Sequence, residues 1–460
     1  MDRTQKMETT SMPKLIAGMS LPLMISLLVQ SLYNIVDSIF VARLSEDGLT
    51  ATTLAFPVHI LMIAVGVGTG VGVNALLSRS IGAKDTDMTE KAASTGAILA
   101  LLSSVIFILF GLLFTNLFVR AFTQEEQIAL YSRQYVFVCT VFSTGSFVAT
   151  MYQRFLQATG DTVDSMLSLI VGAVTNIILD PILIFGCFGF PRMEVLGAAI
   201  ATVIGQWVSA AMAIFLNAKK NPAVKVNFKG FRFDKKVVGQ TYRVGLPTIV
   251  TQAVGSVMVS AINKILMPFS TSAVAFFGAY YRLQSFLFMP MNGLGQALIP
   301  IVGYSYGAKK YDRIREAIRT AIPIAVIIAL VATVVFIILP SQLLGLFSPT
   351  EEMLAIGVPA LRIISVTFAF TAVTMTLGYA MSGLGNGVVN MIGTVIRQLA
   401  VFVPLAYLFA RIWGIGPVWY AMWIAEAAAF LYSILASRRA LKKVLSCKSE
   451  QLKKAAANRL

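Results

Sequence analysis

Gly66 to Lys84 reads GVGTGVGVNALLSRSIGAK, and Met291 to Lys309 reads MNGLGQALIPIVGYSYGAK. At an offset of 225 residues, Gly68 falls on Gly293, Gly70 on Gly295, and Gly82-Ala83-Lys84 on Gly307-Ala308-Lys309. The same offset pairs Leu21-Pro22 with Leu246-Pro247, Asp87 with Asp312, Phe122 with Phe347 and Gly160 with Gly385. One register therefore holds from Leu21 to Gly160 without net insertion, the mark of a duplicated scaffold. The copies are not equal, because Asp37 falls on Ile262 and Asp180 on Leu405.

Hydrophobic residues make up 57% of the 460 and charged residues 13%, a charged share about half that of a soluble domain. This is a membrane protein. Apolar stretches long enough to cross roughly 30 Å of hydrocarbon as helices fall at 15–41, 51–77, 92–114, 128–151, 165–185 and 197–216. The second half supplies 244–269, 273–302, 317–339, 353–381, 389–410 and 417–436. The predicted fold is an all-α membrane protein of twelve transmembrane helices in two pseudo-symmetric six-helix lobes, a parallel repeat. It divides into an N-terminus (1–14), an N-lobe (15–216), a basic loop (217–240), a C-lobe (241–436) and a basic tail (437–460). The first span is too long for a signal-peptide core, so no cleaved targeting segment is expected.

Cytoplasmic loops carry excess Lys and Arg. The loop between the halves holds Lys219, Lys220, Lys225, Lys229, Arg232, Lys235 and Lys236, which places it inside. Most of the 37 basic residues lie on that side with both termini, against Arg43, Arg120, Arg192 and Arg411 in the opposite loops. The net charge of +16 thus reflects topology and attraction to anionic lipid, and nucleic acid is not an expected partner. Six helices per half is an even number, so the copies point the same way.

Three cysteines (Cys139, Cys187, Cys447) and one histidine, His59, do not assemble a metal site of His and Cys spacing. No GxxxxGK phosphate loop is present, and no catalytic cluster is visible, so the chain reads as no enzyme and as needing no cofactor. Energy for work must come from an ion gradient. His59 reads as a helix-packing residue.

Of 21 acids, Asp37, Asp180 and Glu426 alone lie well inside apolar spans. A charged carboxylate there costs about 2.5 to 3.5 kcal/mol on insertion scales, so each needs a reason. In SLYNIVDSIF, Asp37 shares a helix face with Asn34 and Gln30. In VTNIILDPIL, Asn176 stands one turn before Asp180, and Pro181 cannot donate to the carbonyl of Ile177. Two acids, the carboxamides and a freed carbonyl form an oxygen-rich pocket suited to a proton or a small hard cation. Gln30, Asn34, Tyr135 and Asn176 fall on Gly255, Val259, Ala360 and Val401, so the polar cluster belongs to the N-lobe. Glu426 aligns with Gln206 once the offset drops to 220; it is either a second titrating group or a partner of Arg397 or Lys264. Asp161 and Asp164 read as turn and helix-start residues.

The repeated glycines allow close backbone approach, and a Gly before Lys can end a helix. Pro22 and Pro247 are expected to mark the starts of the first and seventh helices, with Pro290 and Pro300 bending the eighth.

The Leu-Pro start, NIVDSIFVARL, NIILDP and the twice-used Gly-Ala-Lys loop resemble the MATE (multidrug and toxic compound extrusion) family over about Lys14 to Arg439. The resemblance implies an inner-membrane, monomeric, cation-coupled (H⁺ or Na⁺) antiporter that exports amphipathic, mainly cationic drugs by alternating access. It carries the family's N-lobe cation site onto Asp37, Asn176 and Asp180, a site for a proton or Na⁺. Gln30, Tyr135 and Thr202 match lobe-lining positions. Another branch has acids on the seventh and tenth helices; here those helices show Gln252, Gly255 and no carboxylate within the tenth span. The alternative reading is a flippase for a lipid-linked saccharide, favoured by Lys264, Arg282 and Arg397 in or near spans, and opposed by the paired N-lobe acids.

Overall fold

A computed structural model describes residues 7–229 and 231–457, with the backbone alone at 445 and 447–457. The expectations for residues 1–6, the side chain of Cys447 and the last residues of the basic tail lie outside the described residues. Among the described residues the chain is helical, without strands. Among these residues ten helices are long and apolar enough to cross a membrane, and two bent helix pairs, each taken as one span, complete twelve.

The first six spans are α1 (Met12–Leu44), α2 (Glu46–Gly82), α3 (Thr86–Phe122), the pair α4 (Glu126–Val141) and α5 (Thr144–Ala158), α6 (Thr162–Phe185) and α7 (Glu194–Lys220). The second six open with α8 (Lys235–Leu266), α9 (Thr271–Gly307) and α10 (Tyr311–Ile338). After the short α11 (Pro340–Gly345) comes the pair α12 (Glu351–Ser365) and α13 (Phe368–Gly383). The eleventh span is α14 (Gly387–Val395), a π-helical turn at Ile396–Ala400 and α15 (Phe402–Trp413); the twelfth is carried by α16 (Ala421–Ala457). Side chains such as Ile106, Leu113 and Leu117 on α3 and Ile327, Val331 and Ile338 on α10 are exposed, as a surface against lipid tails requires.

The sequence repeat is a conformational repeat. Lys84 and Lys309 both take φ 57°, in the left-handed region. Lys84 N donates to Ile81 O and Asp85 N to Ser80 O, while Lys309 N donates to Tyr306 O and Lys310 N to Ser305 O. The helices stop at the glycine as expected: Gly82 and Gly307 are the last helical residues, and the lysine two positions on takes the left-handed conformation of the turn. At the second repeated turn Gly160 (φ 85°) and Gly385 (φ 83°) supply the left-handed residue directly. Asp161 then caps α6 by accepting from the backbone N–H of Asp164, the helix-start role read from the sequence.

Spans four and ten are broken, by 46° between α4 and α5 and by 51° between α12 and α13. Neither break contains proline. In the first, Phe142 N donates to Val138 O and Ser143 N to Thr140 O, a tightening turn. In the second, Thr367 bonds Ile364 O through its N–H and its hydroxyl, and Thr333 Oγ1 reaches across from α10 to Ser365 O at 2.8 Å. Hydroxyls thus take carbonyls that the broken ladder releases. Pro290 and Pro300, expected to bend the eighth helix, lie inside the single helix α9.

The helices α1 and α8 start about one-third of their length before the prolines expected to begin them, and Pro22 and Pro247 are interior residues. The reason is apolar spacing. Met12, Ile16 and Met19 recur at helical intervals and are buried, and Val237, Thr241 and Val244 do the same at the repeat-related positions. Pro13, in the first turn, costs no hydrogen bond there.

The chain divides into two compact units. The first comprises Ile25–Leu246 and so includes the start of α8; the second comprises Met7–Met24 with Pro247–Leu460 and so includes the start of α1. In the first unit the start of α8 lies backbone to backbone against α2: a Cβ on Gly72 would overlap Thr241 O, and one on Gly245 would stand 3.0 Å from Gly68 O. In the second, a Cβ on Gly293 would stand 2.8 Å from Met24 N. There Lys310 Nζ pairs with Glu8 at 2.7 Å, and Arg313 donates to the carbonyls of Met7 and Thr10.

Gly72→Ala is expected to lower the apparent melting temperature in detergent, consistent with an overpacking cost of about 1–3 kcal/mol. Gly18→Ala, whose Cβ meets nothing within 4 Å, serves as the control and is expected to leave melting unchanged or slightly raised.

Candidate functional site

Four helices of the first unit bring its polar side chains together. Gln30, Tyr33 and Asp37 come from α1, Tyr135 and Cys139 from α4, Asn176 and Asp180 from α6, and Thr202 from α7. Two glycines set the last pair of helices. A Cβ on Gly172 would lie 2.7 Å from Gly205 O, and one on Gly205 would lie 2.8 Å from Gly172 O, so the backbones of α6 and α7 touch. That contact places Asn176 Nδ2 at 3.5 Å from Thr202 Oγ1 and at 3.3 Å from Asp180 Oδ1.

Asp180 is fully buried, Asn176 and Thr202 are buried, and Asp37 is half-buried. The carboxyl groups of Asp37 and Asp180 stand within hydrogen-bonding reach of each other. Two carboxyls meet in this way only with a proton on one of them or a cation beside them. Three oxygens, Asp37 Oδ1, Asn176 Oδ1 and Asp180 Oδ2, are buried without a hydrogen-bond partner. Hard oxygen donors of this kind fit a proton or Na⁺. Pro181 adds to the set by withholding its donor from the Ile177 carbonyl inside α6.

Tyr33 and Cys139 join the cluster and were not singled out from the sequence; Tyr33 and Tyr135 lie within electrostatic reach of both carboxyls, and Cys139 within reach of that of Asp37. Tyr33 is four residues before Asp37, a helical spacing that could have marked it. Asn34 is exposed, unlike its expected companions. Next to the cluster, a cavity of about 120 Å³ within the first unit is lined by Gln30, Tyr33, His59, Asn176, Thr202 and Gln206, among others. His59, read as a packing residue, borders it with Nδ1 buried and unpartnered.

The second unit has a different arrangement. Glu426 Oε1 lies 3.5 Å from Arg397 Nη1, both side chains largely buried, so of the alternatives for Glu426 its partner is Arg397. In the first turn of α6, Asp164 pairs at 2.9 Å with Lys220, the last residue of α7, a structural tie between the two helices.

A model of the MatE family matches residues 22–182 and 247–408, the two halves of the repeat. The probable multidrug resistance protein YoeA of Bacillus subtilis is 27% identical over 436 residues, 94% of either chain. The multidrug export protein MepA of Staphylococcus aureus is 26% identical over 427 residues, covering 90% of this chain and 91% of its own. A crystal structure of MATE in the bent conformation superposes with a TM-score of 0.90 at 26% identity, over 98% of this chain and 99% of that one.

Asn176→Leu removes the donor to Asp180. Hydrogen bonds to charged groups are worth about 1.5–3 kcal/mol, so the affinity for a coupling ion, read by titration of the purified protein, is expected to change by about tenfold or more with melting little altered.

Proposed function

The chain belongs to the MatE family of multidrug efflux transporters, and on that premise we propose that it exchanges H⁺ or Na⁺ for amphipathic, mainly cationic drugs. The observation that carries this reading is the set of three unpartnered oxygens on Asp37, Asn176 and Asp180. It occurs in the unit that holds both carboxylates, and its positions in the other repeat carry Ile262, Val401 and Leu405.

In this mechanism a cation or proton arriving from outside neutralises the carboxyl pair. Asp37 on α1 and Asp180 on α6 are then no longer held by the same electrostatic demand, and α1 is free to shift. Gln30 and Tyr33, on the same helix and lining the adjacent cavity, move with it and release the substrate. Because α1 contributes its first turns to one compact unit and the rest to the other, a shift in this helix reaches both. The reading takes the working unit as a monomer.

A lipid-linked saccharide flippase needs several uncompensated cations for its pyrophosphate. Arg397, one of the three residues that favoured that reading, is neutralised by Glu426, and the relatives described above are multidrug proteins, so the flippase reading is not favoured.

We place both termini and the Lys-rich connection in the cytoplasm of a cell-membrane protein, on the strength of the basic bias. Cys187, exposed in the connection between α6 and α7, then lies outside. A membrane-impermeant maleimide is expected to label intact cells making a Cys447→Ser variant, through Cys187; labelling confined to lysed cells would reverse the orientation.

The transport test follows a fluorescent organic cation in proteoliposomes under an imposed pH or Na⁺ gradient. Gradient-driven movement is expected for the wild type and its loss for Asp37→Asn and Asp180→Asn, each still inserted and monodisperse. Undiminished transport by both variants would overturn the mechanism.

A further inference from the structure

The second unit encloses a cavity of about 320 Å³, within the roughly 300–1,000 Å³ range of small-molecule sites. It occupies the place in the second repeat that the smaller cavity occupies in the first. At the offset of 225, the lining residues His59, Ile63, Val67 and Thr150 fall on Gln284, Phe288, Asn292 and Met375, which line the second cavity. Gly172 and Ala173 fall on Arg397 and Gln398. The duplication has therefore kept two pockets and changed their chemistry.

Where the first repeat runs as a regular helix, the second makes the π turn Ile396–Ala400, closed by Val401 N donating to Ile396 O at 3.1 Å. Such turns add a residue to the helix and are frequent at functional sites. This one holds Arg397 and Gln398 at the cavity wall. From the facing helix α16, Glu426 Oε1 stands 3.5 Å from Arg397 Nη1 at the same cavity wall. A guanidinium has five N–H donors, so most of its capacity is unused by that contact. Glu426 Oε2, on a residue 7% exposed, and Gln398 Oε1 are buried with no partner.

We propose that this cavity binds zwitterionic aromatic compounds, whose carboxylate pairs with Arg397 and whose ammonium pairs with Glu426. The charge balance selects that class. Apart from tyrosines, the lining holds one cation and one anion, and a ligand of single charge would leave one of them facing a like charge or unpaired in a low-dielectric wall. A zwitterion bound in the cavity alongside the pair keeps every charge opposed. Tyr280, Tyr281, Phe288, Tyr379 and Phe402 supply faces for an aromatic body, and Met258, Met375 and Met422 allow its shape to vary. The site goes beyond the exchange mechanism above and does not involve Asp37 or Asp180.

Three probes with one aromatic body separate the charges: tryptophan, tryptophan methyl ester and N-acetyltryptophan. Their binding to the full-length protein in lipid nanodiscs is measured by equilibrium dialysis, below the pH at which the ester amine loses its proton. Wild type is expected to bind tryptophan about tenfold or more tightly than either singly charged probe. Glu426→Gln frees Arg397 and is expected to strengthen N-acetyltryptophan binding over wild type. Arg397→Gln frees Glu426 and is expected to strengthen binding of the ester. Misfolding cannot produce such opposite gains. Equal binding of all three probes to wild type, binding of none, or a parallel loss of all three in both variants overturns the assignment, and none of these outcomes bears on gradient-driven transport.

Discussion

Hydrocarbon contains no water to complete the bonding of a polar group, so a polar side chain inside a span must find its partners in the protein or hold a ligand. Most of this chain obeys by excluding such groups. Where hydroxyls do occur, as at Thr140, Thr367 and Thr371, they bond back to carbonyls of their own helices. Among the exceptions, two groups gather the buried acids of the spans. In the first unit, Asp37, Asn176 and Asp180 retain oxygens with no partner, and in the second, Glu426 retains one beside its 3.5 Å contact with Arg397 on a cavity wall.

Duplication explains why there are two such places and divergence explains why they differ. The turns at Lys84 and Lys309, and at Gly160 and Gly385, have the same backbone conformation, and the breaks between α4 and α5 and between α12 and α13 fall at corresponding positions. The glycine-rich stretches do the same work in both copies, giving a helix start a surface without side chains to lie against. Structure was conserved between the repeats while the polar residues were not. A device needed only to hold helices together would have no reason to differ in this way.

The number and order of the spans could be read from hydropathy because lipid imposes a simple length rule, and the conformational repeat could be read from the glycine register. The breaks in spans four and ten could not. They lack proline, and the hydroxyls that satisfy them depend on tertiary neighbours such as Thr333 against Ser365. The true starts of α1 and α8 were hidden by Pro22 and Pro247, whose boundary signal was outweighed by buried Met12, Ile16 and Met19 and by Val237, Thr241 and Val244. In the site, the link from Asn176 to Asp180 followed from one helical turn. The link to Thr202 depended on the contact of Gly172 with Gly205 and was reached only through family resemblance. Cys139 joined the cluster one helical turn after Tyr135, a spacing that could have marked it, and the choice of Arg397 over Lys264 as the partner of Glu426 depended on tertiary placement.

The central claim is that the coupling ion is taken by the carboxyl pair of the first unit and not by Glu426. Infrared difference spectroscopy reads it directly, by comparing carboxyl bands of the purified transporter before and after a pH step or Na⁺ addition. A carboxyl signal that is lost in Asp180→Asn and kept in Glu426→Gln is expected. A signal that survives in Asp180→Asn and disappears in Glu426→Gln would contradict it.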